Sequence, residues 1–178
     1  MLAILALPAA AADDIASKMV NDPSVGWAAF GACAKSELYK DPTVQGGSAE
    51  RVTISAKSAN AWDCGASISI VKPLTQGDVL LLAFWAKTEK GLAGADAIDV
   101  YTNIQFNAAP YNSVGSSTVH VGSAWKMYFV QAVADKDYAA NTIIAQLQLA
   151  TGEQVIDLGP LFILNYGKDY DRTKLPKS

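Results

Sequence analysis

Histidine is almost missing from this chain. His120 is its one histidine in 178 residues, and there are two cysteines, Cys33 and Cys64. Three such side chains are too few for a zinc centre of the usual kind. Charge is scarce as well, at 17% of residues, with a formal net charge of −3. That balance gives no basic footprint for nucleic acid or for an anionic membrane surface, whereas a neutral partner suits it. No apolar run reaches the ~20 residues that a membrane-spanning helix needs, so membrane insertion is not expected. The chain contains neither a Gly-x-Ser-x-Gly elbow nor a Walker-type glycine loop. Asp135, Asp137, Glu153 and Asp157 are scattered. Nothing in their spacing fixes the two carboxyls, ~5–10 Å apart, that glycoside hydrolysis requires. His120 lies in the alternating stretch "STVHVGS" and reads as a surface or partly buried side chain. An enzyme is therefore not expected.

What is present is a hydrophobic half, at 51% of residues, which suffices for a sizeable core. The opening "MLAILALPAAAADD" is a short apolar run ending in alanines before Asp13 and Asp14. It reads as the remnant of a secretory signal peptide over residues 1–12, cut near Ala11 or Ala12, although it has no basic start. A secreted or periplasmic protein follows as the expectation. In such a compartment an even cysteine pair suggests a Cys33–Cys64 disulfide.

The rest reads as nine or so short strands separated by glycine- and aspartate-rich turns. Examples are "AERVTISAK", "CGASISIVKP", "GDVLLLAFWAKT" and "WKMYFVQAVA". The expected fold is all-β, a two-sheet antiparallel sandwich of the jelly-roll kind. It occupies residues 13–167, and the polar stretch 168–178 reads as a free tail or linker stub.

Period-two alternation sorts the faces. In "DVYTNIQFN", Val100, Thr102, Ile104 and Phe106 share one face, while Asp99, Tyr101, Asn103, Gln105 and Asn107 share the other. In "TIIAQLQLA", Gln146 and Gln148 lie opposite Ala145, Leu147 and Leu149. Two strands thus carry a face of amides with an aromatic. Solvated faces usually carry Lys, Glu and Thr. Amides are uncharged and each both donates and accepts, which suits the hydroxyls of a neutral polysaccharide.

Five segments taken in order, "VQGGSAERV", "ANAWDCG", "QGDVLLLAFWAKTEKG", "SAWKMYFVQAVADKDY" and "EQVIDLGPLFILNYG", resemble the jelly-roll carbohydrate-binding modules of the family four and nine type. Such galactose-binding-like β-sandwiches are attached to many secreted xylanases and other glycanases. The resemblance covers roughly Val20 to Gly167. It implies a non-catalytic module whose concave sheet binds a polysaccharide or oligosaccharide of the β-glucan or xylan type. The second reading keeps the jelly roll but uses its exposed Tyr and Trp to bind a protein partner, a glycanase or a cell-envelope protein, without sugar binding. In the resembled family, aromatics beside the concave sheet stack on sugar rings. By position these are Trp62, Tyr101 and Tyr111, with Asn103, Gln105, Gln146 and Gln148 bonding the hydroxyls and Gln154 in second rank. Trp85 and Trp125 read as structural, Trp85 as core packing, and Trp27 fits either class. Many such modules hold a structural calcium ion, for which Asp157 and Glu50 are possible ligands. No other cofactor is expected.

Overall fold

Alternating apolar residues cannot be buried by one sheet alone, so two sheets must face each other. The structure is a computed structural model describing residues 9–178, with side chains from residue 14. Residues 1–8 of the expected signal segment lie outside the described residues, and the rest of it enters a helix, α1 (Ala9–Lys18). The strands are β1 (Ala28–Phe30), β2 (Ala34–Lys40), β3 (Ser48–Ile54), β4 (Gly65–Ile70) and β5 (Asp78–Lys90). They continue with β6 (Ile98–Phe106), β7 (Ser113–Val121), β8 (Lys126–Val133), β9 (Ile143–Gln148) and β10 (Gln154–Lys168). Two five-stranded antiparallel sheets result. The front sheet has the order β1-β4-β9-β6-β7 and the back sheet the order β2-β3-β10-β5-β8. This is the expected all-β jelly-roll sandwich.

The core between the sheets takes alternate residues from each strand. Leu80, Leu82, Phe84 and Ala86 of β5 are all fully buried there, facing Val100 and Ile104 of β6 and Ala145 and Leu147 of β9. Trp27 joins them, edge-on to Phe84 at 5.6 Å between ring centroids, which settles its role as packing. Trp85 corrects the expectation of core packing. It falls on the odd positions of β5, so it stands on the outer face of the back sheet. There its indole N–H donates to Gln45 Oε1 at 3.1 Å. Trp125 is structural as expected, donating to Asp41 Oδ2 at 3.0 Å. The two tryptophans fasten the 41–47 loop over that face.

The tail also departs from expectation. Residues 168–178 do not run free: β10 extends to Lys168, and Leu175 is buried against Val79 and Leu81 with Phe129 beside it. Ser178 Oγ accepts from the Phe129 N–H at 2.5 Å. Leu175, Tyr170 on the same cluster and the hydrogen bonds of Pro176 and Ser178 to β8 dock it together.

Asp157 does not fit the calcium role. Its side chain is fully buried, yet Arg51 grips it through two N–H groups at 2.8 and 2.9 Å and Tyr39 donates to it at 2.6 Å. Lys87 lies 3.4 Å away. Glu50 neighbours Arg51 on β3, so it points to the opposite side of the sheet from Asp157. The cationic charge that Asp157 needs is supplied by Arg51 and Lys87. Burial pushes its carboxyl up, but the hydrogen bonds from Arg51 and Tyr39 and the charges of Arg51 and Lys87 outweigh it, leaving the pKa below the ordinary 3.8.

Candidate functional site

The front sheet builds its outer face in rows. Across the strands, Phe30 pairs with Gly65, Gly65 with Gln148, and Gln148 with Tyr101. The next row runs from Ser67 through Gln146 to Asn103. Paired residues share a face, so the amides anticipated from alternation on β6 and β9 stand side by side. Gly65 has to be glycine here, because a Cβ would come within 1.9 Å of the Leu147 carbonyl oxygen.

Two loops raise walls around these rows. The first carries Trp62 in a short 3-10 turn, Ala61–Asp63. Asp63 shapes that turn by accepting from Ser58 Oγ at 2.6 Å and from the Asn60 N–H at 2.9 Å. Those bonds, the Ser58 hydroxyl first, hold the Asp63 carboxyl below its ordinary value of 3.8. The turn is tied down by the Cys33–Cys64 disulfide and by the Ala150 N–H donating to the Ala61 carbonyl at 3.1 Å. Gly31, at φ 87°, lets the β1–β2 turn approach closely, since a Cβ there would lie 2.0 Å from the Asp63 carbonyl oxygen. The second loop joins β6 to β7 and carries Pro110 and Tyr111. Tyr111 occupies the left-handed region at φ 56°, where glycine would be less strained. The loop thereby holds the Tyr111 ring exposed at the edge of the front sheet.

Between these walls lies a groove of about 940 Å³. Trp62, Tyr101, Asn103, Gln105, Tyr111, Gln146 and Gln148, all seven candidates from the sequence, line it. Phe30, Ala61 and Pro110 complete the lining and were not foreseen. Phe30 follows from register alone, since a three-residue strand gives no alternation to read. Gln154 is elsewhere: it is buried and spends its amide N–H groups on Leu149 O and Thr151 Oγ1.

The amides divide into two kinds. Asn103 is locked, its Nδ2 donating to Gln105 Oε1 at 2.7 Å and its Oδ1 accepting from Ser113 Oγ at 2.5 Å. Ser113 is a further positioning residue that sequence reading missed, because it reaches Asn103 only through a register shift between β6 and β7. Gln146 and Gln148, by contrast, make no side-chain hydrogen bond among the described residues. Gln146 is nevertheless only 6% exposed. The buried unpartnered side-chain atoms of the described residues are Trp27 Nε1 and Thr102 Oγ1. The amide of Gln146 is not among them, so it opens onto the groove, where water or a ligand can bond it. Above it stand three exposed rings, Trp62 at 58%, Tyr111 at 57% and Tyr101 at 39%. The lining holds no carboxylate, imidazole or thiol. It offers stacking surfaces and neutral hydrogen-bonding groups.

Acid should weaken this architecture. The carboxyls of Asp63, Asp157 and Asp41 all have lowered pKa values in the fold. A depressed folded pKa adds stability above the unfolded value, and that stability is lost as pH falls through the folded one. The melting temperature is expected to be flat above about pH 5 and to drop progressively between about pH 4 and 2. Circular-dichroism melts across that range check it. An unchanged melting temperature at the acid end would remove these carboxylates from the account of stability.

No protein-family model and no curated protein sequence matches the chain. Solved structures match it in fold. A CBM4 structure superposes with TM-score 0.61 at 19% identity, covering 79% of this chain and 94% of that one. A CBM22-1 xylan-binding domain from Paenibacillus barcinonensis Xyn10C gives 0.59 at 17% identity, with 84% and 92% covered. A cyclase from Fischerella sp. TAU, solved in complex with 4-(1H-indol-3-yl)butan-2-one, gives 0.61 at 11% identity, with 86% and 91% covered. The chain is similar to all three in being a jelly-roll sandwich, the fold of the carbohydrate-binding modules among them.

Proposed function

We propose that the protein is an exported, non-catalytic module that holds a neutral polysaccharide or oligosaccharide, of the β-glucan or xylan type, in the groove of its front sheet. The observation that carries this is the groove lining: the exposed rings of Trp62, Tyr101 and Tyr111 stand over Gln146 and Gln148, whose amides make no side-chain hydrogen bond among the described residues and open onto the groove. A pyranose has apolar C–H faces for the rings and hydroxyls for the amides, so it satisfies both at once. The likeness to the CBM4 and CBM22 modules supports the same reading, as does a lining without acid–base groups. Export is supported by the alanine-rich start of the sequence and by the disulfide.

The test is affinity electrophoresis of the protein recovered from periplasm or medium, its mass recorded to show whether the alanine-rich start is gone. Native gels would contain xylan, mixed-linkage glucan, cellulose derivatives, mannan or alginate. Retardation in a neutral-glycan gel, and free passage through alginate, is the expected result. Uniform mobility in every gel would favour a glycanase or envelope protein as partner. A second groove of about 390 Å³, edged by Val25 at 50% and Leu38 at 71% exposure, would be where to look for that contact.

A further inference from the structure

The polar face continues beyond the groove wall. Tyr101 pairs with Thr118 across β6 and β7, and in the next row Asp99 pairs with His120. Val100 and Val119 between them are buried in the core, at 0% and 1% exposure. Alternation therefore places Asp99, Thr118 and His120 on the same face as Tyr101 and the groove. Two residues along a strand span roughly 7 Å, so the second row lies just past the Tyr101 ring.

This row differs from the groove in chemistry. Its side chains are exposed, at 72% for Asp99 and 73% for His120, and His120 Nδ1 lies 2.8 Å from Asp99 Oδ1. A carboxylate at Nδ1 keeps the proton of the neutral ring on that nitrogen and fixes the ring's orientation. Nε2 is then left as a bare acceptor facing solvent. The hydroxyl of Thr118, two residues earlier on the same face of β7, can donate or accept. So exposed a pair contributes little to holding the sheet together. Its oriented acceptor is suited to a hydroxyl arriving from outside.

We propose that Asp99, Thr118 and His120 form a further subsite beyond Tyr101. His120 Nε2 accepts a hydrogen bond from a hydroxyl of the sugar residue that follows the one stacked on Tyr101, and Asp99 is the positioning residue. The proposal rests on the sugar reading above and adds a direction to it: the ligand leaves the groove over β7.

Calorimetric titration with xylo- and cello-oligosaccharides, from disaccharide to hexasaccharide, tests it on the wild type, His120→Ala and Asp99→Asn. Both sites are exposed, so both variants are expected to keep the wild-type melting temperature. Wild-type affinity is expected to rise with length. His120→Ala is expected to match it on the shortest ligand bound and to lose about three- to tenfold on the hexasaccharide. Asp99→Asn should reproduce part of that loss. Identical affinities for wild type and His120→Ala at every length would overturn the subsite and leave the groove reading standing. An equal loss at every length would place His120 in the groove itself, which also overturns it. A wild type that binds none of these oligosaccharides would remove the sugar reading and the subsite together.

Discussion

Trp62→Ala is expected to abolish measurable glycan binding while leaving the fold and its melting temperature almost unchanged. The two halves of that expectation have separate causes. Trp62 is 58% exposed, so its removal opens no cavity in the core. Its turn is held by Asp63, the Cys33–Cys64 bond and backbone hydrogen bonds, none of which involves the indole. The ring's apolar face is instead available to a ligand. Losing one stacking partner costs ~1–3 kcal/mol where bases stack on aromatic side chains, and a sugar face is similar in kind. Open, wet grooves give modest affinity to begin with, because desolvation and ordering offset most of the gain. A loss of that size therefore takes binding below detection. Gel retardation and a thermal melt of the same variant check it. A sharply lower melting temperature with retardation intact would reverse the assignment and make Trp62 a structural residue.

The site was more legible in the sequence than the packing around it. On β6 and β9 positions alternate between the core and the outer face of the front sheet, so period two exposed the amide face residue by residue. Trp62 was legible for the opposite reason: it has no apolar neighbours to pack with. Trp85 was misread because β5 is apolar on both faces. "VLLLAFWA" carries no alternation, and its outer face is covered at the Trp85 end by the 41–47 loop and at the Val79–Leu81 end by Leu175, contacts no local pattern announces. Leu175 was hidden in the same way, an anchor whose partners on β5 and β8 lie far off in sequence. Asp157 read as a metal ligand because its partners arrive from β2, β3 and β5; a lone acidic residue in a strand cannot show which cation it faces. Ser113 and Phe30 depend on register, which is decided by the whole sheet.

Removing the disulfide is expected to produce the largest loss of stability. Cys33 and Cys64 are 31 residues apart in sequence. Closing a loop of that length in the unfolded chain is worth about 3–4 kcal/mol on the chain-entropy account. For a domain of this size that corresponds to a melting temperature lower by about 10 °C. Cys33→Ala with Cys64→Ala is the suitable variant, because Cys64 is 2% exposed and alanine keeps the site small and apolar. A reductant should lower the wild-type melting temperature by a similar amount and leave the double variant where it is. Binding should weaken less than stability, since the Asp63 hydrogen bonds and the Ala150–Ala61 bond still hold the Trp62 turn in place. The bond thus acts mainly on the fold and only secondarily on the groove wall. If reduction left the melting temperature unchanged but abolished retardation in the glycan gel, that order would be reversed. The disulfide would then serve to preorganise the Trp62 wall for its ligand.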